Sequence, residues 1–471
     1  MSIFRIVNRQ RVPRLWVAAV PIVVLLLIIA VIGLAVGAQR ISDYTVYSLV
    51  AASLVAAVIG FGGGYISRRS LAVGFRRGVM KILPILPVLV CLGAISTTWV
   101  LSGVVPTMLD YGMRIIAPQW FLPAACVVCA MVSVVTGSSW TTIATIGIVF
   151  MGMGSVMGYS EVVTAGAVIS GAYFGDKVSP LSDTTVLASS TCGVDIMDHI
   201  KYMMITTIPA MALTLAIFAA VSLSWDTATE ASDSEVLSMI HAHFNVSALT
   251  MVIPGVAILL LALKIRTLTV LIVSALMGAA GIMVFQPQLD YSAEDILLTM
   301  WQGSTSATGC ATFDAIATTG GVLGMWTVLE LVTATSLLGW MLISTGMLRV
   351  VGNSIVSGIR RRTSLVGATI CTGFTMNAVT CDQYLSLIIT GNIFAGAYRR
   401  HHLRSRLLSR SCEDGVSVTS VLIPWNTCGM TQSAVLGVAT LSYLPFCVFN
   451  YLTPLVSILI ARIGFRTHKR M

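Results

Sequence analysis

The sequence predicts an all-α polytopic membrane protein, with roughly 11–13 membrane segments at about 20 apolar residues each. Three observations carry this. The 471 residues are 56% hydrophobic and only 10% charged, with a mean hydropathy of +0.91. Apolar runs long enough to cross a bilayer recur along the whole chain, whereas a β-barrel would show short alternating segments. The charges that do occur gather in short stretches between those runs.

The first run, residues 15–37, is too long for a signal-peptide core and no small-residue cleavage site follows it. It reads as a retained helix preceded by Arg5, Arg9, Arg11 and Arg14. Apolar stretches follow near 45–66, 82–104, 119–135, 140–157, 161–175 and 202–223, then near 247–263, 267–286, 325–347, 364–376, 383–397 and 434–461. Basic clusters lie between them: Arg68, Arg69, Arg76, Arg77 and Lys81; Arg349, Arg360, Arg361 and Arg362; Arg399, Arg400, Arg404, Arg406 and Arg410. Loops retained in the cytoplasm carry such an excess. The net charge of +9 therefore reports topology, and no nucleic-acid partner is expected. Residues 224–235 carry four acids and no Lys or Arg, and are placed outside. Both termini are expected in the cytoplasm of a cell (inner or plasma) membrane protein. Cys126 and Cys129 form a C-x-x-C without a partner pair, so the ten cysteines read as small core residues and no cofactor is expected.

Four stretches make poor spanning helices: 138–147, 176–185, 302–321 and 414–430 are rich in Gly, Pro, Ser and Thr. Irregular backbone at membrane depth survives only where protein buries it or where it lines a wet cavity. Interruptions at matching places in two halves mark the binding site of a secondary transporter. The halves match here, Thr136 through Gly147 aligning with Thr380 through Gly391, and Asp176-Lys-Val-Ser179 with Asp414-Gly-Val-Ser417. Lys81 opens the first half and Asp290, Glu294 and Asp295 the second, so an inverted repeat with broken helices or re-entrant hairpins is expected. The chain divides into N-terminal helices (1–78), a first repeat (79–224), an outside loop with connecting helices (225–293) and a second, inverted repeat (294–471).

The polar residues in the breaks carry the chemistry. A charge at the bilayer centre costs about 2.5–3.5 kcal/mol on insertion scales, so Asp176, Lys177 and Asp183 in 171–185 are costly there unless partnered. Either the two acids coordinate a small cation or carry a proton, or Lys177 pairs with Asp176 in a surface loop. Ser179, Ser182, Thr184 and Thr185 supply the neutral oxygens that hard cations prefer. Ser139 and Thr142 stand in the matching break. Asp382 opens an apolar helix, where it either stabilises the helix dipole or projects toward the same cavity. Glu413 is assigned to salt bridges with Arg410 or Arg406, leaving Asp414 as the better site candidate. At 423–427 Pro424 frees a carbonyl and Asn426 adds an oxygen. Glu330 is expected to be buried, as a proton site or an Arg partner, and Asp110 and Asp314 to be interfacial.

The segments TGSSWTTIATIG, SGAYFGDKVSPLSDTT, CDQYLSLIITG and EDGVSVTSVLIPWNTCG, in this order, resemble the signatures of the NhaC-type Na⁺/H⁺ antiporters of the ion-transporter superfamily. The resemblance runs from about Trp99 to Pro454. It implies cation-coupled exchange by alternating access around a central site, and points to Asp176, Ser179, Asp183 and Thr184, and to Asp382, Ser417, Thr419, Ser420, Asn426 and Thr427. The chain departs from the pattern at Val186, Val421 and Met430, beside that site.

Na⁺ and H⁺ are thus the expected substrates, exchanging at Asp176, Asp183 or Asp382. Coupled carriage of a small organic anion or amino acid is the alternative, and a channel a third reading. An enzyme is not expected, since all six His lie near loops or segment ends. A lipid bilayer is the expected surrounding, and a homodimer is left open.

Overall fold

The computed structural model describes residues 13–36, 41–66, 85–225, 230–263, 265–348 and 362–463, with residues 83, 350, 351 and 354. The basic clusters at Arg5, Arg9 and Arg11, at Arg68 to Lys81, and at Arg349, Arg360 and Arg361 fall outside them, as does Asp226. Among the described residues the regular structure is entirely helical. Helices α1 (Leu15–Val36) and α2 (Ile41–Gly62) precede α3 (Ile85–Leu101) and α4 (Val104–Ile115). The next four are α5 (Phe121–Thr136), α6 (Ser139–Val156), α7 (Glu161–Val178) and α8 (Asp183–Cys192), followed by the long α9 (Ile196–Ser224). Connecting helices are α10 (Glu230–His243), α11 (Val252–Ala262), α12 (Thr267–Phe285), α13 (Ala293–Gln302) and α14 (Ala311–Ala317). The second half holds α15 (Trp326–Ser344), α16 (Arg362–Thr380), α17 (Gln383–Arg400), α18 (Ser405–Cys412), α19 (Thr427–Leu436) and α20 (Val448–Ile463).

Seven described helices are long and apolar enough to cross a membrane, or ten if each of three bent pairs is one span. Segments such as α7, α8, α18 and α19 are not among them, because they are short or carry polar side chains into the breaks. The chain is therefore a polytopic membrane protein with broken helices. One bend, of 64°, joins α3 to α4 at Gly103, which takes a φ of 81°. A Cβ there would meet the Gln286 amide nitrogen at 2.1 Å. That amide donates to the Ser102 and Asn245 carbonyls while its oxygen accepts from the Asn245 N–H, tying the bend to the end of α12. At the exposed start of α13, the Ser292 hydroxyl and N–H hold the Asp295 carboxyl below the usual carboxylate range.

The internal repeat extends to single hydrogen bonds. In α5 the Thr136 hydroxyl accepts from the Ser138 N–H and meets the Thr142 hydroxyl at 3.2 Å. In α16 the Thr380 hydroxyl accepts from the Asp382 N–H and meets Ser386 at 2.6 Å. Between these partners the chain takes positive φ at Gly137 (66°) and at Cys381 (58°). Gly171 packs on the Cys126 carbonyl, and Gly415 on the Ile370 backbone. Ser182 caps α8 and Asn426 caps α19, each two residues after a proline, Pro180 and Pro424. All these pairs stand 244 positions apart in the chain.

This fixed displacement corrects the second half of the expected alignment. Asp176 matches Ser420, not Asp414. Ser139 donates to Asp176 at 2.7 Å, and in the equivalent place Ser420 donates to Gln383 at 3.2 Å. The short D-x-V-S likeness is outweighed by the prolines and caps, which fix where each helix must break.

The repeats are inverted. Helix α9 has 29 residues, a length of about 43 Å at 1.5 Å per residue. At its start His199 meets Ser409 of α18 at 2.8 Å, and Asp195 and Asp198 share a recess with Arg404 and Arg406. At its end Ser222 meets the Tyr159 hydroxyl at 2.7 Å, and Trp225 donates to the Gly158 carbonyl. The α6–α7 turn at Gly158 and the α17–α18 turn at His402 are equivalent, and both take positive φ. They lie at opposite ends of one helix. Packing is reciprocal as well: α8 lies on α17, and α19 on α6. The breaks of the two repeats consequently meet in the middle of the molecule.

Candidate functional site

At that meeting point each broken helix is held by backbone-directed side chains. Ser179 donates to the Val134 carbonyl at 2.7 Å and accepts from the Leu181 N–H, fixing the α7–α8 break against α5. Ser182 accepts from the Thr185 N–H and meets the Thr184 hydroxyl at 3.0 Å. On the other side Asn426 is fully buried. Its oxygen accepts from the Cys428 N–H and its amide donates to the Asn377 carbonyl. The Thr427 N–H donates to the Cys381 carbonyl, joining α19 to the α16–α17 break. Thr419 donates to Gly415 and accepts from Asn377. Thr142 donates to the Ser138 carbonyl. These hydroxyls and amides shape the breaks.

Three carboxylates stand among them. Asp176 is half-buried, and the Ser139 hydroxyl donates to it at the first turn of α6, where the helix dipole favours an anion. Asp183, first residue of α8, is exposed, and Asp382, N-cap of α17, is half-buried and accepts from the Leu385 N–H at 2.7 Å. All three lie within electrostatic range of the Tyr384 hydroxyl, together with Cys428. Tyr384 is 40% exposed. From this point Ser190 on α8 and Asn392 on α17 remain exposed toward the end of the molecule that holds Arg404. The exposed and half-buried side chains along this line, hereafter the groove, are polar and acidic.

Beneath it lies a buried ionic cluster. Among the described residues five charged side chains are at least nine-tenths buried: Asp110, Lys177, Arg410, Glu413 and Asp414. Four of these form the cluster. Lys177 donates to Asp414 from the other repeat, both fully enclosed, so neither of its expected roles, pairing with Asp176 or lying in a surface loop, is seen. Asp414 also accepts from Thr206 and lies 3.9 Å from the Arg410 Nε. The Arg410 guanidinium stacks over the Tyr202 ring at 5.0 Å. The roles expected for the neighbouring acids are exchanged: Asp414 takes the cations, and Glu413, which begins a π-turn over Glu413–Ser417, has no hydrogen bond from the protein on either oxygen. Ser417 faces the same region with an unpartnered hydroxyl.

One further expectation, a buried Glu330, is corrected. Glu330 is exposed and accepts from the Trp326 indole at 2.8 Å, because its face of α15 points outward. Asp110 is 1% exposed and accepts from Arg114 and His241, so it is a buried anchor between α4 and α10. Asp314 gathers a tight loop, accepting from Ser306, Thr308 and the Gly309 N–H. Sequence reasoning missed Lys177–Asp414, Arg410 and Tyr384. Only Tyr384 left a signal, as the aromatic aligned with Trp140.

Comparison with known proteins gives the family. The model of the Na⁺/H⁺ antiporter family matches residues 6–202 and 171–465. The Na⁺/H⁺ antiporter NhaC of Alkalihalophilus pseudofirmus is 34% identical, over 89% of this chain and 90% of that protein. The malate-2H⁺/Na⁺-lactate antiporter of Bacillus subtilis is 35% identical over 84% of each. The arginine/ornithine antiporter ArcD of Halobacterium salinarum is 30% identical, over 87% of this chain and 84% of that protein. By family match and by identity across nearly its whole length, the chain belongs to the Na⁺/H⁺ antiporter family.

Proposed function

We propose that this chain exchanges Na⁺ for H⁺ across a cell membrane, with Asp176 as the exchanging carboxylate and Asp183 and Asp382 completing an acidic mouth. One observation carries the reading: three acids stand at the breaks of the two inverted repeats, within electrostatic reach of Tyr384, and the adjacent Lys177 is taken up by Asp414. The groove therefore holds uncompensated negative charge and suits a cation. A cation on Asp176 and a proton on Asp176 exclude one another, which couples the two flows. Ser139 and Ser182 are the hydroxyls that act on Asp176, with Thr184 bonded to Ser182, whereas Ser179, Thr419 and Asn426 hold the breaks in shape. Basic Arg399, Arg400, Arg404 and Arg406 support a cytoplasmic position for this end under the positive-inside rule.

A second reading, exchange of an organic solute, draws support from the names of two relatives. Lys177 is taken up by Asp414 and offers no cation to a carboxylate substrate in the groove. Proteoliposomes loaded with the purified chain test both readings. Na⁺ or Li⁺ gradients are expected to move protons. Malate, lactate or arginine gradients driving flux in place of Na⁺ would overturn the first reading.

A further inference from the structure

We propose that Glu413 is a second proton-carrying group of the exchange, coupled to the cation at Asp176 through the charge of the buried cluster. The inference rests on the Na⁺/H⁺ reading and goes beyond it by placing part of the proton's work outside the groove.

Glu413 is fully enclosed, and neither of its oxygens receives a hydrogen bond from the protein. Buried polar groups are almost always partnered, and a buried carboxylate without a donor is costly as an ion. It begins a π-turn, the kind of helical irregularity that gathers at functional sites. The charges acting on it from outside its own helix are Lys177 and Asp176 of α7, and the Ser417 and Thr184 hydroxyls face it. Its own helix contributes Arg410 and Asp414. Among the described side chains of the other helices packed against the turn, the charges stand at helix ends: Asp183 on α8, Arg399 and Arg400 on α17, Arg462 on α20. Cys412, Cys192, Tyr398 and His199 are further titratable groups nearby.

The cluster is a four-charge unit. Lys177 and Arg410 bring two positive charges, and Asp414 and ionised Glu413 bring two negative ones, so the unit is neutral. One proton added to the Glu413 carboxylate leaves the unit at +1, immediately behind Asp176. That charge opposes a cation on Asp176. A cation bound there in turn drives the proton off Glu413, since coupling between two binding events is reciprocal. Proton and Na⁺ thereby exclude each other at two different carboxylates, and the cycle moves one proton more than competition at Asp176 alone.

The test compares two fluxes in proteoliposomes: ²²Na⁺/Na⁺ self-exchange, which needs no proton, and ²²Na⁺ uptake driven by a pH gradient. Glu413→Gln fixes the unit at +1, so both fluxes are expected to persist with a Na⁺ KM raised by about tenfold and with one proton fewer moved per Na⁺ in paired proton and ²²Na⁺ measurements, whereas Asp176→Asn loses both fluxes. An unchanged proton-to-Na⁺ ratio with a Na⁺ KM within about twofold of the parent, or loss of both fluxes in folded protein, would overturn the proposal. If Glu413→Gln does not assemble, Glu413→Asp keeps the carboxyl: it is expected to shift the pH dependence of the Na⁺ KM in both fluxes. Unshifted profiles overturn the proposal. Absence of any Na⁺-coupled proton movement in the unsubstituted chain would instead sink the parent reading.

Discussion

Asp176 and Lys177 are neighbours in sequence and do opposite work. Successive residues near the end of a helix point about 100° apart, so one enters the groove and the other the cluster behind it. Asp176 meets Ser139 and solvent, while Lys177 crosses to Asp414 of the other repeat. Asp176→Asn keeps the size and the Ser139 contact but removes the ionisable proton, so Na⁺-dependent ΔpH in proteoliposomes is expected to fall to background. Lys177→Met strands Asp414 without its lysine, and stranding one member of a buried pair costs about 3–5 kcal/mol. The melting temperature in detergent is expected to fall sharply, and Lys177→Met with Asp414→Leu to recover much of the loss. A double variant no more stable than the single one would show that the pair is not coupled.

The hairpin of two helices broken by a hydroxyl staple is the repeating element. Thr136 and Thr380 each stop one helix and start the next, because their hydroxyls serve the N–H two residues on and the side chain six residues on. Thr380→Val is isosteric and removes both bonds in a buried setting. At about 1 kcal/mol per bond it is expected to lower the melting temperature measurably, with Thr136→Val behaving alike. The glycines set how closely hairpins approach. A Cβ on Gly171 would come within 2.1 Å of the Cys126 carbonyl oxygen. Backbone cannot yield there as a side-chain tip does. Gly171→Leu is therefore expected to cost on the order of 3 kcal/mol and to lower the yield of folded protein, read by size-exclusion chromatography.

Inversion at the scale of the whole molecule makes the two hairpins complementary. The acids are not repeated with it: Asp176 faces Ser420, Asp382 faces Ser138, and Asp183 faces Thr427 in the paired scheme. Twofold architecture thus supplies two broken ends, and at each paired position only one repeat carries the acid. Inversion also fixes sidedness. With Cys192, Cys310 and Cys371 replaced by Ser, Ser160→Cys in the α6–α7 turn is expected to react with an impermeant maleimide from outside whole cells. Ser405→Cys is expected to react only in inside-out vesicles. Reaction of both from one side would contradict the inverted arrangement.

The sequence by itself determined the class of the molecule, its broken segments, the first half of the repeat and the family. Each of these is written in local composition: apolar length, Pro and Gly at the breaks, hydroxyls beside acids. It also named Asp176, Asp183 and Asp382, since an acid between two apolar runs is conspicuous. Tertiary structure alone decided which acid each cation meets. Glu413 and Asp414 are adjacent and chemically alike, and only the packing of α7 across the other repeat sends Lys177 to one and leaves the other bare. Glu330 shows the same limit, for an acid in an apolar run looks buried until the neighbouring helices show which face they cover. Charge pairing over 237 residues of separation depends on how two inverted hairpins dock, and docking is a property of shape that no local stretch records.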